Sequence, residues 1–380
     1  MKTPSAQGRA RAGVFAAGIG LLLGCLWAGR SAPQQGLLSY LFAFLFFTGL
    51  SAGSLALLLV HVLTGGAWGL ALRGALLAAA RLLPLQAALA VPLLLGVRAL
   101  YPWSAPNLLA HDALLRAQSW YLEDAFFVAR ATGCFVLWLL VLALYIRWRA
   151  RAARVAALAR LAAVGLIVYA LSTLLAATDW VMSLTPHWHS SIFGMLVATG
   201  WMLGAASLAV LHAAAGAARG AAAPAAPLLR DLGNLLLVLV LTWTYLALMQ
   251  YLTIWIADQP AEISWYIPRT LTSWRALAAF LIVFHFAVPF ALLLSRQVKE
   301  RPRALAAIAA MLLIAQLADA LWLVVPSLRA QGLALRWSDL LAAGGIGALW
   351  CALYLGQLQR ARPDHDASGA FAVRMGDVSA

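Results

Sequence analysis

Apolar residues run along this chain in long uninterrupted stretches, without the alternation of strands or the narrow stripe of a soluble helix. About ten such runs occur, each close to the roughly 20 residues that a helix needs to cross about 30 Å of hydrocarbon. They lie near 13–29, 38–62, 74–97, 125–146, 157–183, 190–214, 232–257, 272–295, 304–325 and 338–358. The pattern predicts an all-α polytopic membrane protein with about ten transmembrane helices.

One of these apolar runs is repeated. Residues 39–61 align without gaps on residues 190–212, an offset of 151 residues with eight identities in 23 positions. The shared positions include a Thr-Gly-x-x-x-Gly motif and a terminal histidine. A second match at an offset of 145 pairs Arg130 with Arg275. Because the copies are about four crossings apart, an even number, the repeats are predicted to be parallel.

The duplication predicts two four-helix bundles flanked by one peripheral helix at each end. The predicted units are an N-terminal anchor helix at 1–37, a first bundle at 38–189 with a periplasmic loop at 98–124, a second bundle at 190–330, a peripheral last helix at 331–359 and a disordered cytoplasmic tail at 360–380. The basic start and short apolar core of the first helix also fit a cleaved signal peptide. The Gly-x-x-x-Gly motifs predict that the second and sixth spans approach a neighbour closely.

Composition and charge refine this picture. Of the 380 residues, 64% are hydrophobic and only 11% are charged, and the mean hydropathy is +0.87, which is far outside the range of soluble domains. The net charge of +14 comes from basic residues in the short connections, mostly on one side of a ten-span arrangement. The positive-inside rule therefore places both termini in the cytoplasm. Membrane lipid is the expected surrounding, and nucleic acid is not an expected partner.

Ionisable groups near a bilayer are costly, so those that occur there are functional candidates. Asp179, His187 and His189 stand between two long apolar runs. They are candidate acceptors of a proton released from a reduced substrate, or they solvate the outer helix ends. Deeper in the eighth and ninth spans, His285 and Asp319 form either a proton relay or a structural pair between helices.

Other polar residues have candidate roles in binding or in structure. Gln250 and Tyr251 in the seventh span are candidates for bonding a quinone headgroup, with His189 as a further candidate, although polar pairs inside bundles also join helices. Four residues at helix starts are expected to form structural ion pairs, the two arginines with acids such as the two aspartates: Arg130, Asp124, Arg275 and Asp258.

The sequence contains no recognisable cofactor motif. Its three cysteines lie far apart within spans, and it has no Cys-x-x-Cys-His, P-loop or dinucleotide fingerprint. His61 and His212 are the only symmetric histidine pair, and they either hold a b-type haem or cap their helices. We therefore expect no metal site and no cofactor bound by this chain itself.

Five ordered motifs point to a family. They are Leu-Tyr-Pro-Trp at 100–103, Tyr-Leu-x-x-x-Phe-Phe-x-x-Arg at 121–130, Asp-Trp-x-x-Ser-Leu-x-Pro-His-Trp at 179–188, Gln-Tyr-x-x-Ile-Trp at 250–255 and Pro-Phe-x-x-Leu-Leu-Ser-Arg at 289–296. Together they resemble the shorter NrfD-like membrane subunit of alternative complex III, a bacterial quinol:cytochrome c oxidoreductase. The resemblance covers roughly residues 38–330. Where similar proteins often have an aromatic residue after Pro-His-Trp, this chain has His189.

The resemblance implies a ten-helix subunit that is catalytic only within an assembled respiratory complex. It implies a location in the bacterial cytoplasmic (inner) membrane. It also implies three kinds of partner, with a terminal oxidase as a further candidate: a longer NrfD-like subunit that carries the main quinol site, a periplasmic iron–sulfur subunit and haem c subunits. For the chain itself it implies quinol interaction, proton transfer or assembly, with quinol or quinone as the ligand. The alternatives are a secondary transporter, the membrane anchor of another NrfD-type periplasmic reductase, or a non-enzymatic assembly scaffold.

Overall fold

The computed structural model describes residues 6–105, 112–151, 155–218 and 225–360. These residues include ten helices long and apolar enough to cross a membrane, α1 to α10 in chain order: Gly8–Ala28, Pro33–Thr64, Ala67–Leu95, Asp124–Ala150, Val155–Leu184, Phe193–Gly216, Ala226–Ala257, Arg275–Leu294, Pro302–Ser327 and Trp337–Arg360. The described part contains no strand, so the chain is an all-α polytopic membrane protein, as predicted. The predicted tail after residue 360 lies outside the described residues.

The connections between spans contain short helices, and the longer connections lie at one end of the molecule. These helices are Val97–Leu100, Pro102–Ser104, Ala113–Gln118, Pro260–Ile263, Ile267–Leu271 and Arg296–Lys299. All except the last belong to segments 96–123 and 258–274, which follow α3 and α7. We call the end formed by residues 96–105, 112–123, 185–192, 258–274 and 328–336 the loop face.

Two of the spans are interrupted. Helix α3 consists of Ala67–Ala80 and Leu83–Leu95, with a turn between them. Helix α8 consists of Arg275–Leu281 and Val288–Leu294 joined by a π-helical turn at Ile282–Ala287. Pro289 has no N–H to offer the carbonyl four residues earlier, and its ring crowds that carbonyl, which loosens the helix there. The wider turn buries His285 completely in the bundle.

Helices α2 and α6 form the centre of the molecule. Helix α2 packs against α3, α5, α6, α9 and α10, and it is almost wholly buried. Helix α6 packs against α5, α7 and α9, while α4 pairs with α5 and α8 with α7. Helix α1 packs mainly on α10. The helices that follow each central helix therefore gather around it, with α1 and α10 on one side.

The central helices meet at their duplicated glycine motifs. Gly53 of α2 lies directly against the backbone of Trp201, and a β-carbon at Gly204 of α6 would lie 3.2 Å from the side chain of Leu50. Leu50 and Trp201 are equivalent positions in the repeat, as are Gly53 and Gly204. The contact is therefore reciprocal, and the predicted close approach of the second and sixth spans is confirmed.

A buried polar network fastens α10 to α2 at the loop face. Arg329 donates from Nη1 and Nη2 to the two carboxylate oxygens of Asp339, at 2.7 and 2.9 Å. Ser39 of α2 donates to Asp339 at 2.6 Å, and Arg329 also donates to Gln35 at 2.7 Å. The buried charges of Arg329 and Asp339 are thus paired and hydrogen-bonded, and an unpaired charge at this place would be costly. The network fixes the start of α10 against the centre of the protein.

Candidate functional site

A cavity of about 540 Å³ opens between α7, α8 and α9, beneath the loop-face segment 258–274. This volume falls within the range of about 300–1,000 Å³ that is usual for small-molecule sites. Most of the lining is aliphatic or aromatic, and the polar side chains are Thr244, Gln250, Tyr251, Tyr266, Thr270 and Asp319. An apolar cleft with a few polar groups is suited to a flat amphipathic headgroup whose tail remains in lipid.

Gln250 and Tyr251, the predicted ligand residues, both line this cavity. Ser190 donates a hydrogen bond to Gln250 Oε1, and Gln250 Nε2 donates to the hydroxyl oxygen of Tyr266, each at 3.3 Å. Burial raises the pKa of Tyr266 to about 12, so its hydroxyl keeps its proton. Because that oxygen already accepts from Gln250, the O–H of Tyr266 can donate to an acceptor in the cavity.

Asp319 is the only acidic side chain in the cavity lining, and it is 2% exposed. Gln316, three residues earlier on the same helix, donates to its carboxylate at 3.2 Å. Among the described residues no lysine, arginine or histidine forms an ion pair with it. The carboxyl group is therefore buried beside a cavity without a counter-charge.

His285 lies close to the same group of side chains. Its ring packs edge-on against Trp243, with centroids 4.0 Å apart, and Trp243 lines the cavity. No hydrogen bond joins His285 to Asp319 in the described structure, and the Gln316 side chain lies beside both of them. The structure thus brings the two predicted relay residues to neighbouring helices around Trp243 and Gln316 without linking them directly.

Both carboxylate oxygens of Asp179, the other predicted acid, accept hydrogen bonds from neighbouring side chains. Arg130 of α4 donates to both of its carboxylate oxygens, at 2.7 and 3.1 Å, and both side chains are buried. Tyr121 donates to Oδ1 at 2.8 Å, and its ring also stacks under the guanidinium at 3.9 Å. Burial, with a smaller effect of the Asp179 charge, raises the pKa of Tyr121, so the phenol remains a donor. This arrangement holds α4, α5 and the 98–124 loop together.

The expected ion pairs at the helix starts are wrong. Asp124 begins α4 facing the preceding loop, where Arg98 donates to it at 2.6 Å, whereas Arg130 lies nearly two turns later and faces the bundle interior. No ion pair joins Arg275 to Asp258 in the described ranges. Asp258 ends α7 in a left-handed conformation with φ of 48°, and Arg275 is exposed at the start of α8.

The two loop histidines lie outside the large cavity. His187 bonds Asp112 at 2.7 Å near the surface, and the Leu115 N–H, with a smaller contribution from His187, lowers the pKa of Asp112. His189 is exposed, lies 3.4 Å from Gln118 and lines a separate cavity of about 220 Å³. Neither histidine contacts Asp179, Gln250 or Tyr251 by a hydrogen bond in the described structure. The loop face therefore separates its histidines from its buried acids.

Stacked indoles divide the two cavities. Trp188 lines the smaller one and Trp265 the larger one, and their rings are nearly parallel with centroids 4.8 Å apart. Arg269 places its guanidinium 3.6 Å from the Trp265 ring centroid. Burial lowers the pKa of Arg269 from its ordinary value, but a guanidinium stays protonated inside proteins. A cation therefore lies behind the wall of the large cavity.

Four residues of the site were not among the predicted site residues: Trp243, Tyr266, Arg269 and Gln316. One of them has a clear signal, because Gln316 precedes Asp319 by three residues and so shares its helix face. No protein-family model matches this sequence, and a search of curated proteins finds no significant similarity. The resemblance to alternative complex III therefore rests on the sequence motifs.

Among the residues that the structure describes, no group of three or more His, Cys, Asp or Glu side chains is arranged to hold a metal ion. His61, one of the two symmetric histidines, contacts the Gly66 carbonyl at 3.2 Å just beyond the end of α2 and packs against Trp68. His61 therefore lies where a side chain caps the C-terminal end of α2.

Proposed function

We propose that this chain is an integral membrane subunit of a quinol:cytochrome c oxidoreductase and that it binds a quinol headgroup in the large cavity. The loop face is then periplasmic, and the redox cofactors belong to iron–sulfur and haem c subunits that dock there. The observation that carries the proposal is a buried carboxyl, Asp319, without a counter-charge in a cavity of about 540 Å³ between lipid-facing helices.

The polar groups of the cavity match the two ends of a quinol ring. Asp319 is an acceptor for one hydroxyl, and Tyr266 offers a donor to the other oxygen with its own oxygen held by Gln250. Oxidation of a quinol to a quinone releases two electrons and two protons. The electrons pass to the cofactors of partner subunits, one proton passes to the Asp319 carboxylate, and the other leaves to water. Proton acceptance by a positioned carboxylate is general base catalysis.

Asp319 suits this role better than Asp179. Both carboxylate oxygens of Asp179 are held, by the buried guanidinium of Arg130 and by the Tyr121 hydroxyl, so no free oxygen faces a ligand. Asp319 has neutral donors beside it, the Gln316 amide and the Trp243 indole, no cation partner among the described residues, and it borders open space. We therefore assign proton transfer to Asp319 and a structural role to Asp179.

The test begins with gentle purification of the tagged chain from its native membranes. We expect multihaem cytochrome c and iron–sulfur subunits to co-purify, and we expect Asp319→Asn to lower quinol:cytochrome c reduction by roughly 100-fold in the assembled complex, which is the usual scale for loss of a general base. Asp231→Asn serves as the control, because that acid is exposed at the start of α7, at the opposite end of the molecule.

Two results would contradict the proposal. Recovery of a lone homo-oligomer would remove the oxidoreductase assignment. Unchanged turnover of Asp319→Asn in an intact complex would remove the proton role of that residue. A secondary transporter is less well supported, since the interruptions in α3 and α8 fall at places that do not correspond in the two halves.

A further inference from the structure

Three arginines are buried in the described part of the chain, and one of them differs from the others. Arg130 pairs with Asp179 and Arg329 pairs with Asp339, each through two charge-assisted hydrogen bonds. Arg269 is fully buried, yet no carboxylate among the described residues forms an ion pair with it. A buried charge without a counter-charge is costly unless something nearby compensates it.

Neutral oxygens satisfy the hydrogen bonds of Arg269. Its guanidinium donates to the carbonyls of Trp265, Leu323 and Trp322, at 2.7, 2.9 and 3.2 Å. It also donates to the Ser327 hydroxyl at 3.1 Å. The carbonyls of Trp322 and Leu323 belong to the last turns of α9, whose partial negative charge is only about half an elementary charge. The cation therefore retains a net positive potential.

That potential is directed at the large cavity. The guanidinium carbon lies 3.6 Å from the ring centroid of Trp265 and 5.9 Å from that of Trp322, and both rings line the cavity. No lysine, arginine or histidine belongs to the described lining, in which Asp319 is the one carboxylic acid. Once Asp319 holds a proton, Arg269 is the nearest formal charge that the described structure places against this wall.

We infer that the cavity binds its ring headgroup preferentially as an anion, with an ionised oxygen on the Arg269 side, and that Arg269 is the residue that sets this preference. The inference rests on the proposed function for the site itself and adds the charge state of the ligand. When a quinol gives one proton to Asp319, a negative charge moves from the carboxylate to the ring oxygen. Arg269 stabilises the charge at its new position.

The test compares two ligands that differ in charge. An acidic hydroxynaphthoquinone is ionised at neutral pH, whereas its methyl ether is neutral and nearly the same shape. Both are titrated into the purified wild-type chain in lipid nanodiscs. A single charge one aromatic ring away from a cation in a medium of intermediate dielectric gains on the order of tenfold in affinity, so we expect the ionised ligand to bind about tenfold more tightly.

Substitutions identify the source of the preference. Arg269→Gln should reduce the ratio of the two affinities to about one, while leaving the affinity for the methyl ether within about twofold of wild type because the cavity persists. Arg269→Lys keeps the charge and should keep the preference. The control is Arg336→Gln, which removes an exposed arginine on the same loop face and should not change the ratio.

Three results would contradict, in turn, the preference for an anion, the role of Arg269 and the binding of a ring in the cavity. Equal binding of both ligands to the wild-type chain overturns the inference, and this measurement does not depend on the folding of any variant. A preference that survives in a folded Arg269→Gln protein removes Arg269 as its source. If the wild-type chain binds neither ligand, the cavity is not a ring-binding site, and the proposed quinol site fails together with the inference.

Discussion

Asp179 and Asp319 occupy matching places in the two halves but have opposite surroundings. Each lies near the loop-face end of the last helix of its half, and each is followed seven residues later by a proline, Pro186 or Pro326. Arg130 and Tyr121 hold the first acid, whereas the donors beside the second, Gln316 and Trp243, are neutral. The same type of residue therefore serves as a structural clamp in one half and stands beside a cavity in the other.

This difference predicts unequal effects of two matched substitutions on stability. Asp179→Asn leaves the buried Arg130 without its counter-charge, which should lower the free energy of unfolding by about 3–5 kcal/mol. Asp319→Asn leaves no buried cation without a counter-charge, so we expect a much smaller change in the free energy of unfolding. Unfolding of the purified proteins in mixed detergent micelles measures both values. Equal losses in the two variants would mean that the Arg130 pair does not act as a clamp.

The identity of these acids was predictable from sequence, but their partners were not. An aspartate inside an apolar run is conspicuous, and both were predicted as candidates and are buried. Arg130 was expected to pair with an acid such as Asp124 or Asp258, whereas its partner is 49 residues away along the chain. Which of two acids an arginine reaches depends on the rotation of α4 about its axis, and that rotation is set by packing against α5. A nearly uniform apolar sequence carries little information about such rotation.

At the scale of elements, the duplicated glycine motif determines how the two halves meet. Gly53 and Gly204 remove side chains at the crossing of α2 and α6, so that Trp201 and Leu50 fit into the space. The motif was visible in the sequence and its consequence was predicted correctly. The π-helical turn of α8 was only partly visible, since Pro289 indicates a weakened helix without specifying that an extra residue is accommodated.

The crossing predicts a specific intolerance to one added methyl group. At Gly53 a β-carbon would collide with the Trp201 backbone, which cannot move without displacing α6, so Gly53→Ala should cost about 1–3 kcal/mol of stability. Gly74→Ala in α3 is the matched control, because a β-carbon there meets nothing within 4 Å and alanine favours the helix. Thermal unfolding in detergent compares the two. A Gly53→Ala protein as stable as Gly74→Ala would show that α2 and α6 do not pack this closely.

At the scale of the whole molecule, the number of spans follows from hydrophobic length, and their predicted orientation follows from charge. Ten apolar runs predicted ten helices because each run must satisfy its own backbone in lipid, and this physical constraint is independent of sequence detail. The grouping of helices depended on the repeat. The large cavity was not predicted, because it arises where α7, α8 and α9 diverge beneath a loop, and no single segment of sequence records that divergence.

The charge asymmetry predicts that the loop face is exposed to the periplasm. A cysteine replacing Ser119 in that face should react with a membrane-impermeant maleimide in intact cells, whereas one replacing Arg301 at the opposite end should react only after lysis. The wild-type chain provides the background, with Cys25 and Cys134 buried and Cys351 within α10. The reverse labelling pattern would invert the orientation and with it the assignment of the docking side.

The reciprocal contact between α2 and α6 has a consequence for the origin of the molecule. In a two-fold homodimer a self-complementary patch brings residue i of one subunit onto residue j of the other, and j onto i. The contacts of Leu50 with Gly204 and of Trp201 with Gly53 have this form within one chain. A four-helix ancestor that associated with a second copy of itself would have used the same surface. Fusion of the copies would have released each half to diverge, and the clamped Asp179 of one half and the unclamped Asp319 of the other show how far two such halves can differ.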